Sequence, residues 1–142
     1  MVPEELTIEE FLNFSSVQEA IENDEIPIGL ELEMVGSVNI SLGKFKHLAY
    51  VSNAEDAFDN ITHHLLKTIL RMPNVHMMLI DAFQEYEVYS ELVKTYVGSK
   101  NELSDIGNQL IYEIERRLEK GISSEWIIFI PNMRLYLYWH RY

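Results

Sequence analysis

The chain has 142 residues, 47% of them hydrophobic, with 23 acidic and 11 basic side chains for a formal net charge of −12. That length suits one domain with a sizeable core. The absence of cysteine excludes disulfide scaffolds, cysteine zinc sites and thiol nucleophiles, and the negative charge opposes unaided binding to nucleic acid.

No apolar run approaches the roughly 18 residues of a membrane span. The first ten residues, MVPEELTIEE, lack the basic and apolar regions of a signal peptide. Composition therefore predicts a soluble, intracellular-facing acidic domain. The charge is uneven, because residues 1–43 hold ten acids and no base. Such a leader reads as a solvated outer layer or as a docking surface for a basic partner.

The leader, residues 1–24, reads as two short helices. Thr7 with Glu10 and Ser15 with Gln18 each fit a capping box, in which side chains satisfy the free N–H groups of a helix start. Ile8, Phe11, Leu12, Val17, Ala20 and Ile21 can form one buried face, and Asn23-Asp24 ends the second helix. Residues 25–142 then read as an α/β domain. IPIGLELEMV alternates apolar and acidic residues as a half-buried strand does, and SVNISL (37–42) pairs with it as a hairpin. HLAYVS (47–52) is continuous enough for a strand covered on both faces.

Residues 54–71 carry Phe58, Ile61, Leu65, Leu66, Ile69 and Leu70 at helical spacing, and Pro73 stops that helix. VHMMLID (75–81) predicts a second buried strand ending in an acid. FQEYEVYSEL predicts a loop or short helix, and KTYV a short strand. Ser99 with Glu102 opens a long helix through Leu103, Ile106, Leu110, Ile114 and Leu118, closed by Lys120-Gly121. WIIFI (126–130) is the third buried strand. Strands alternating with helices from 47 to 130 predict a parallel sheet with flanking helices.

In such a sheet, ligands bind where strands lead into helix N-termini. A phosphate-binding loop would need GxxxxGK[ST] at Ser52, Asn53, Ala54, Glu55, Asp56, Ala57, Phe58 and Asp59. Ser52 and Ala57 replace its glycines, Phe58 its lysine and Asp59 its hydroxyl residue. Glu55, Asp56 and Asp59 complement the helix dipole from within and would repel phosphate. WIIFI ends in Pro131-Asn132, where a magnesium-holding strand would end in Asp-Glu. No ATP hydrolysis is expected here.

Asp81, without a partner base or metal ligand, reads as structural. His63 and His64 are adjacent on a helix and point about 100° apart, so they cannot chelate together. His47 with His76 makes only half a zinc site. No serine sits in a GxSxG elbow, and Glu87 and Glu91 read as surface carboxylates. No catalytic residue, metal or cofactor is expected. Tyr86 and Tyr89, in the loop after Asp81, and Tyr136, Tyr138 and Trp139, in the tail, are candidate partner-binding residues, since aromatics of this kind are enriched at interfaces. For the tail, a strand with tyrosines on one face is an equal alternative.

The strings KHLAYVSN, MMLID, LIYEIERRLEK and WIIFI stand in the order and spacing of the FtsK/SpoIIIE-like ATPase domain. His47-Leu48, Ile80-Asp81 and Glu115-Arg116-Arg117 match that family's pattern, whereas Ser52–Asp59 and Pro131-Asn132 do not match its Walker A and Walker B motifs. VPEELTIEEFL followed by IPIGLELE resembles the linker and first strand of the degenerate C-terminal, third ATPase domain of EssC-type proteins of type VII secretion.

The resemblance implies a RecA/P-loop-like fold, cut short after the Walker B position. It implies a pseudo-ATPase domain on the cytoplasmic side of the membrane, within a membrane-anchored parent. Its implied partners are adjacent ATPase domains of the same motor and small secreted WXG-type helical proteins, with self-association through an uncovered sheet edge also open. The alternative function is a weak ATP–Mg site built on a non-standard turn.

Overall fold

Thr7 starts the first helix as its sequence requires, its Oγ1 accepting from the Glu10 N–H at 3.1 Å. The computed structural model describes residues 6–30, 36–41, 49–50, 54–121 and 125–131. The chain forms two compact units, Met1–Pro73 and Asn74–Tyr142.

In the first unit, α1 (Ile8–Leu12) and α2 (Ser15–Glu22) are followed by the hairpin β1 (Glu25–Leu30) and β2 (Ser37–Ser41), then α3 (Glu55–Leu70). Phe11, Leu12, Val17, Ala20 and Ile21 are buried, as the apolar spacing of the leader predicts, while Ile8 is half-buried. The Ser15–Gln18 box does not form. Phe14 occupies the cap with no side-chain bond, and its carbonyl accepts from the Gln18 N–H, so the helix starts one residue earlier than expected. β1 and β2 pair antiparallel from Glu25↔Ser41 to Leu30↔Ser37. The register shifts between Pro27 and Gly29, a bulge where proline, lacking an N–H, is tolerated.

Of the strand expected over 47–52, only Ala49 and Tyr50 are described; neither is in a strand, and Ala49 is exposed. The remainder lies outside the described residues, as do Glu31–Glu33 of the alternating stretch. α3 buries Leu65, Leu66 and Ile69 on one face, the spacing of an amphipathic helix. Met72 and Pro73 follow its end.

The second unit contains a parallel three-stranded sheet in the order β4-β3-β5, from β3 (Val75–Ile80), β4 (Thr95–Val97) and β5 (Glu125–Phe129). In β3, every residue except His76 is buried, which explains its continuous apolar composition. β5 departs from expectation. Ile128 is 46% exposed and Ile130 39%, because among the described residues β5 lies at the sheet's margin.

α4 (Lys100–Lys120) connects β4 to β5. Ser99 Oγ accepts from the Glu102 N–H at 3.3 Å, and Glu102 Oε2 accepts from the Gly98 N–H at 3.2 Å, so the predicted box is present with its return bond one residue earlier. Gly121 closes the helix at φ 62°, a left-handed conformation suited to glycine. Leu103 packs with Met78, Ile80 and Val97, with Ile106, Leu110 and Trp126 around them.

Candidate functional site

Two places in the fold can be tested for chemistry: the N-terminal turn of α3 in the first unit and the C-terminal end of β3 in the second. The α3 turn is the position where a phosphate loop would stand. Ser52 and Asn53 lie outside the described residues. Ala54 is the N-cap and offers no side-chain bond. Glu55, Asp56, Ala57 and Asp59 are exposed, and Asp59 reaches His63 one turn on at 3.6 Å.

Phe58, standing in place of the phosphate lysine, is stacked on Tyr50, with centroids 5.1 Å apart and planes at 24°. Thr62 Oγ1 donates to the Phe58 carbonyl at 2.9 Å and lies 2.8 Å from the Tyr50 hydroxyl. Thr62 has one proton, so Tyr50 is the donor to it. Burial raises the Tyr50 pKa, with the Thr62 bond opposing. An aromatic stack and exposed carboxylates thus occupy the first turns of α3. These residues do not fit a triphosphate with its magnesium, because the positive end of the helix is already offset by acids.

At the end of β3, Asp81 is 2% exposed. Its Oδ1 accepts from the Glu85 N–H at 3.1 Å. Its Oδ2 accepts from the Tyr86 N–H at 2.9 Å and from the Tyr96 hydroxyl at 2.8 Å. The Tyr96 pKa is pushed up by burial first, then by its bond to Asp81. Gln84, at φ 58°, donates through Nε2 to the Gly98 carbonyl at 2.8 Å. A Cβ on Gly98 would come within 2.8 Å of the Tyr96 ring, so glycine there lets the ring lie close. Asp81 is therefore the tie of the β3–β4 connection, its carboxylate accepting three hydrogen bonds from its own fold.

That tie reverses one sequence expectation. Tyr86 and Tyr89 are 2% and 4% exposed, so their rings belong to the interior and are unavailable to a partner. The same loop instead displays Phe83, Val88 and Leu92, at 42%, 75% and 62% exposure. A run that alternates tyrosines with acids suggests exposed rings, and nothing local in it signals the burial that Asp81 imposes. Tyr136, Tyr138, Trp139 and Asn132 lie outside the described residues. Pro131 is fully buried.

The Glu115-Arg116-Arg117 triplet is also placed. Glu113 accepts from Arg116 at 2.7 and 3.0 Å and from Arg117 at 3.1 Å. The Arg116 bond leads in lowering the Glu113 pKa. Arg117 lies 4.9 Å over the Trp126 ring, and His76 stacks on the same indole at 4.0 Å and 16°. His76 Nε2 meets Thr95 Oγ1 at 3.0 Å. Both arginines serve packing and ion pairing on α4. Among the described residues no group of three or more His, Asp or Glu side chains could hold a metal ion, and no helix is long and apolar enough to cross a membrane.

Two histidines supply a pH dependence. His64 contacts the Pro27 carbonyl at 3.2 Å and packs on Phe11. Burial lowers its pKa, the Pro27 bond opposing. The His76 pKa is lowered by burial and then by Lys94 and Arg117, with Glu113 opposing. The unfolded chain, titrating near 6.5, takes up these protons first. Stability is full above about pH 6.5 and falls as the pH drops below it, by at most about 1.4 kcal/mol per pH unit for each histidine. Urea midpoints between pH 7.5 and 5.5 should show this slope, and the double variant His64→Gln, His76→Phe should flatten it. An unchanged slope in that variant would assign the effect elsewhere.

With this geometry in hand, the class is that of an α/β domain in which exposed acids and an aromatic stack occupy the first turns of α3. The chain is related to EssC-type proteins. It is 27% identical over 138 residues to the type VII secretion system protein EssC of Staphylococcus aureus (strain MRSA252), a match covering 94% of this chain and 9% of that protein's length. The solved structure of the cytoplasmic domain of EssC superposes with a TM-score of 0.69 at 18% identity, covering 92% of this chain and 28% of that one. At that identity the superposition shows the shared fold. No family model matches the chain.

Proposed function

We propose that this chain is a non-catalytic, FtsK/SpoIIIE-type domain of a type VII secretion motor. In this reading it acts in substrate recognition or in regulation of neighbouring ATPase domains, on the cytoplasmic side of a membrane-anchored parent protein. The relation to EssC supports the secretion context. The observation that carries the non-catalytic reading is the first turn of α3, with Glu55, Asp56 and Asp59 exposed around it and Phe58 stacked on Tyr50. Carboxylates there add repulsion where a nucleotide needs backbone N–H groups and a cation.

Titration calorimetry with ATP and magnesium should give flat heats up to millimolar nucleotide. A saturable isotherm would overturn the pseudo-ATPase reading in favour of a weak nucleotide site. Failure to bind both purified WXG-type secreted proteins and the motor's ATPase domains would overturn the recognition and regulation role.

A further inference from the structure

α4 carries two apolar stripes, and only one of them is used by its own fold. Leu103, Ile106 and Leu110 face the sheet cluster. The second runs through Gly107, Ile111, Ile114 and Leu118, at successive spacings of four, three and four residues. That is the spacing of a continuous apolar face on a helix, able to take up a second helix alongside it. Ile111, Ile114 and Leu118 are 58%, 54% and 81% exposed. A Cβ placed on Gly107 would meet nothing within 4 Å, which leaves a notch on the seam where a large side chain could seat. A leucine so exposed on an ordered helix is costly to leave in water, and neighbouring exposed isoleucines make a patch rather than a scatter.

The outer margin of this stripe has one sign. Glu115 and Glu119 are exposed on the side away from the sheet cluster. Among the described residues neither has a hydrogen bond or ion pair. Arg116 and Arg117 turn to Glu113 instead, and Arg117 also lies over Trp126. A partner that fits must therefore bring apolar residues at helical seam spacing with cations beside them. A second copy of this chain fits less well, because it would bring the same acids and a net charge of −12 to the interface.

We propose that the outer stripe of α4 is a docking seam for an amphipathic helix of another polypeptide, with lysine or arginine flanking its apolar positions. The proposal rests on the recognition reading above, and the two can fail separately, because binding of secreted proteins or of the ATPase domains that survives Ile114→Asp and Leu118→Asp would keep that reading and remove the seam. The probe is a fluorescein-labelled synthetic helix as long as the 21 residues of α4, with leucine at the seam positions and lysine on both flanks. A control peptide carries glutamate on the flanks.

Anisotropy should show saturable binding of the lysine peptide that weakens at least about tenfold in Ile114→Asp and in Leu118→Asp. It should also weaken with added salt. Glu115→Lys combined with Glu119→Lys should shift preference toward the glutamate peptide. Both seam positions are exposed, so circular dichroism should keep the folded spectrum, with a loss of about 1 kcal/mol or less in urea from an acid placed towards the C-terminal end of α4. Three results would overturn the proposal. They are no binding of the lysine peptide, binding that survives both aspartate variants, and a sedimenting dimer of the chain that Ile114→Asp dissociates, which would give the seam to a second copy.

Discussion

Replacing Asp81 with alanine should lower the unfolding free energy by about 3–5 kcal/mol, the scale for removing one partner of a buried charged network. The residue is 2% exposed and anchors the N–H groups of Glu85 and Tyr86 and the hydroxyl of Tyr96. Truncation leaves those donors without an acceptor; the Tyr86 N–H is buried and the other two are part-buried, and an unsatisfied buried donor costs about 1–3 kcal/mol. Asp81→Asn keeps the shape but turns one acceptor into a donor facing an N–H or an O–H, so a loss of about 1–3 kcal/mol is expected.

Tyr96→Phe removes a single bond to the carboxylate and should cost less than Asp81→Ala. In a double-mutant cycle the two changes should be strongly non-additive, because they share the bond. Urea denaturation of the four proteins measures all of this. An Asp81→Ala midpoint within error of wild type would remove the tie from the account. The loss should be the same with and without ATP, which separates it from a role in holding nucleotide.

A second large effect concerns leucines that look alike in sequence. Leu66 on α3 and Leu79 on β3 are fully buried, while Leu118 on α4 is 81% exposed. Leu66→Ala and Leu79→Ala should each cost about 2.5–5 kcal/mol, from lost transfer free energy plus the cavity left behind. Leu118→Ala should stay within about 0.5 kcal/mol of wild type, since little burial is lost and alanine is the better helix former. Thermal or urea unfolding of the three variants decides it. A large loss at Leu118 would mean that this side chain is covered in solution and would also count against a free seam.

Those leucines show where the sequence is readable. Periodicity located α3, β3, α4 and the hairpin, because each has a single buried face or two. The Thr7 and Ser99 caps and the Gly121 stop were legible because they depend on residues within one turn. Asp81 could be judged structural from its lack of catalytic company, although not one of its three bonds could be foreseen.

What escaped is set by distant contacts. Leu103 and Leu118 share a helical pattern, yet α4 has more apolar residues than its contact with the sheet can cover, and only the fold decides which stripe remains outside. A width count would have hinted at it, since Ile111, Ile114 and Leu118 widen the apolar arc beyond one face. Tyr86 and Tyr89 escape for a similar reason, since the Asp81 carboxylate ties the Tyr86 N–H to the end of β3 and the Tyr89 N–H bonds back to the Tyr86 carbonyl. β5 reads as continuous and buried, but a marginal strand with Ile128 outward carries the same letters. At the α3 turn, the acids and the phenylalanine that stand where a phosphate loop would need glycines and a lysine were legible one by one. The stacking of Phe58 on Tyr50 was not, as it joins positions in different segments.

The arrangement of Arg117, Trp126 and His76 has an optical consequence. The chain has two tryptophans, and one of them, Trp126, has a guanidinium over its ring and an imidazole stacked on it. A protonated imidazole in ring contact is an efficient quencher of indole emission, so Trp126 brightness tracks the charge of His76 and the closeness of the stack together. The second unit thereby carries a native fluorophore, placed where α4 meets the sheet, that signals loosening of that junction without any label.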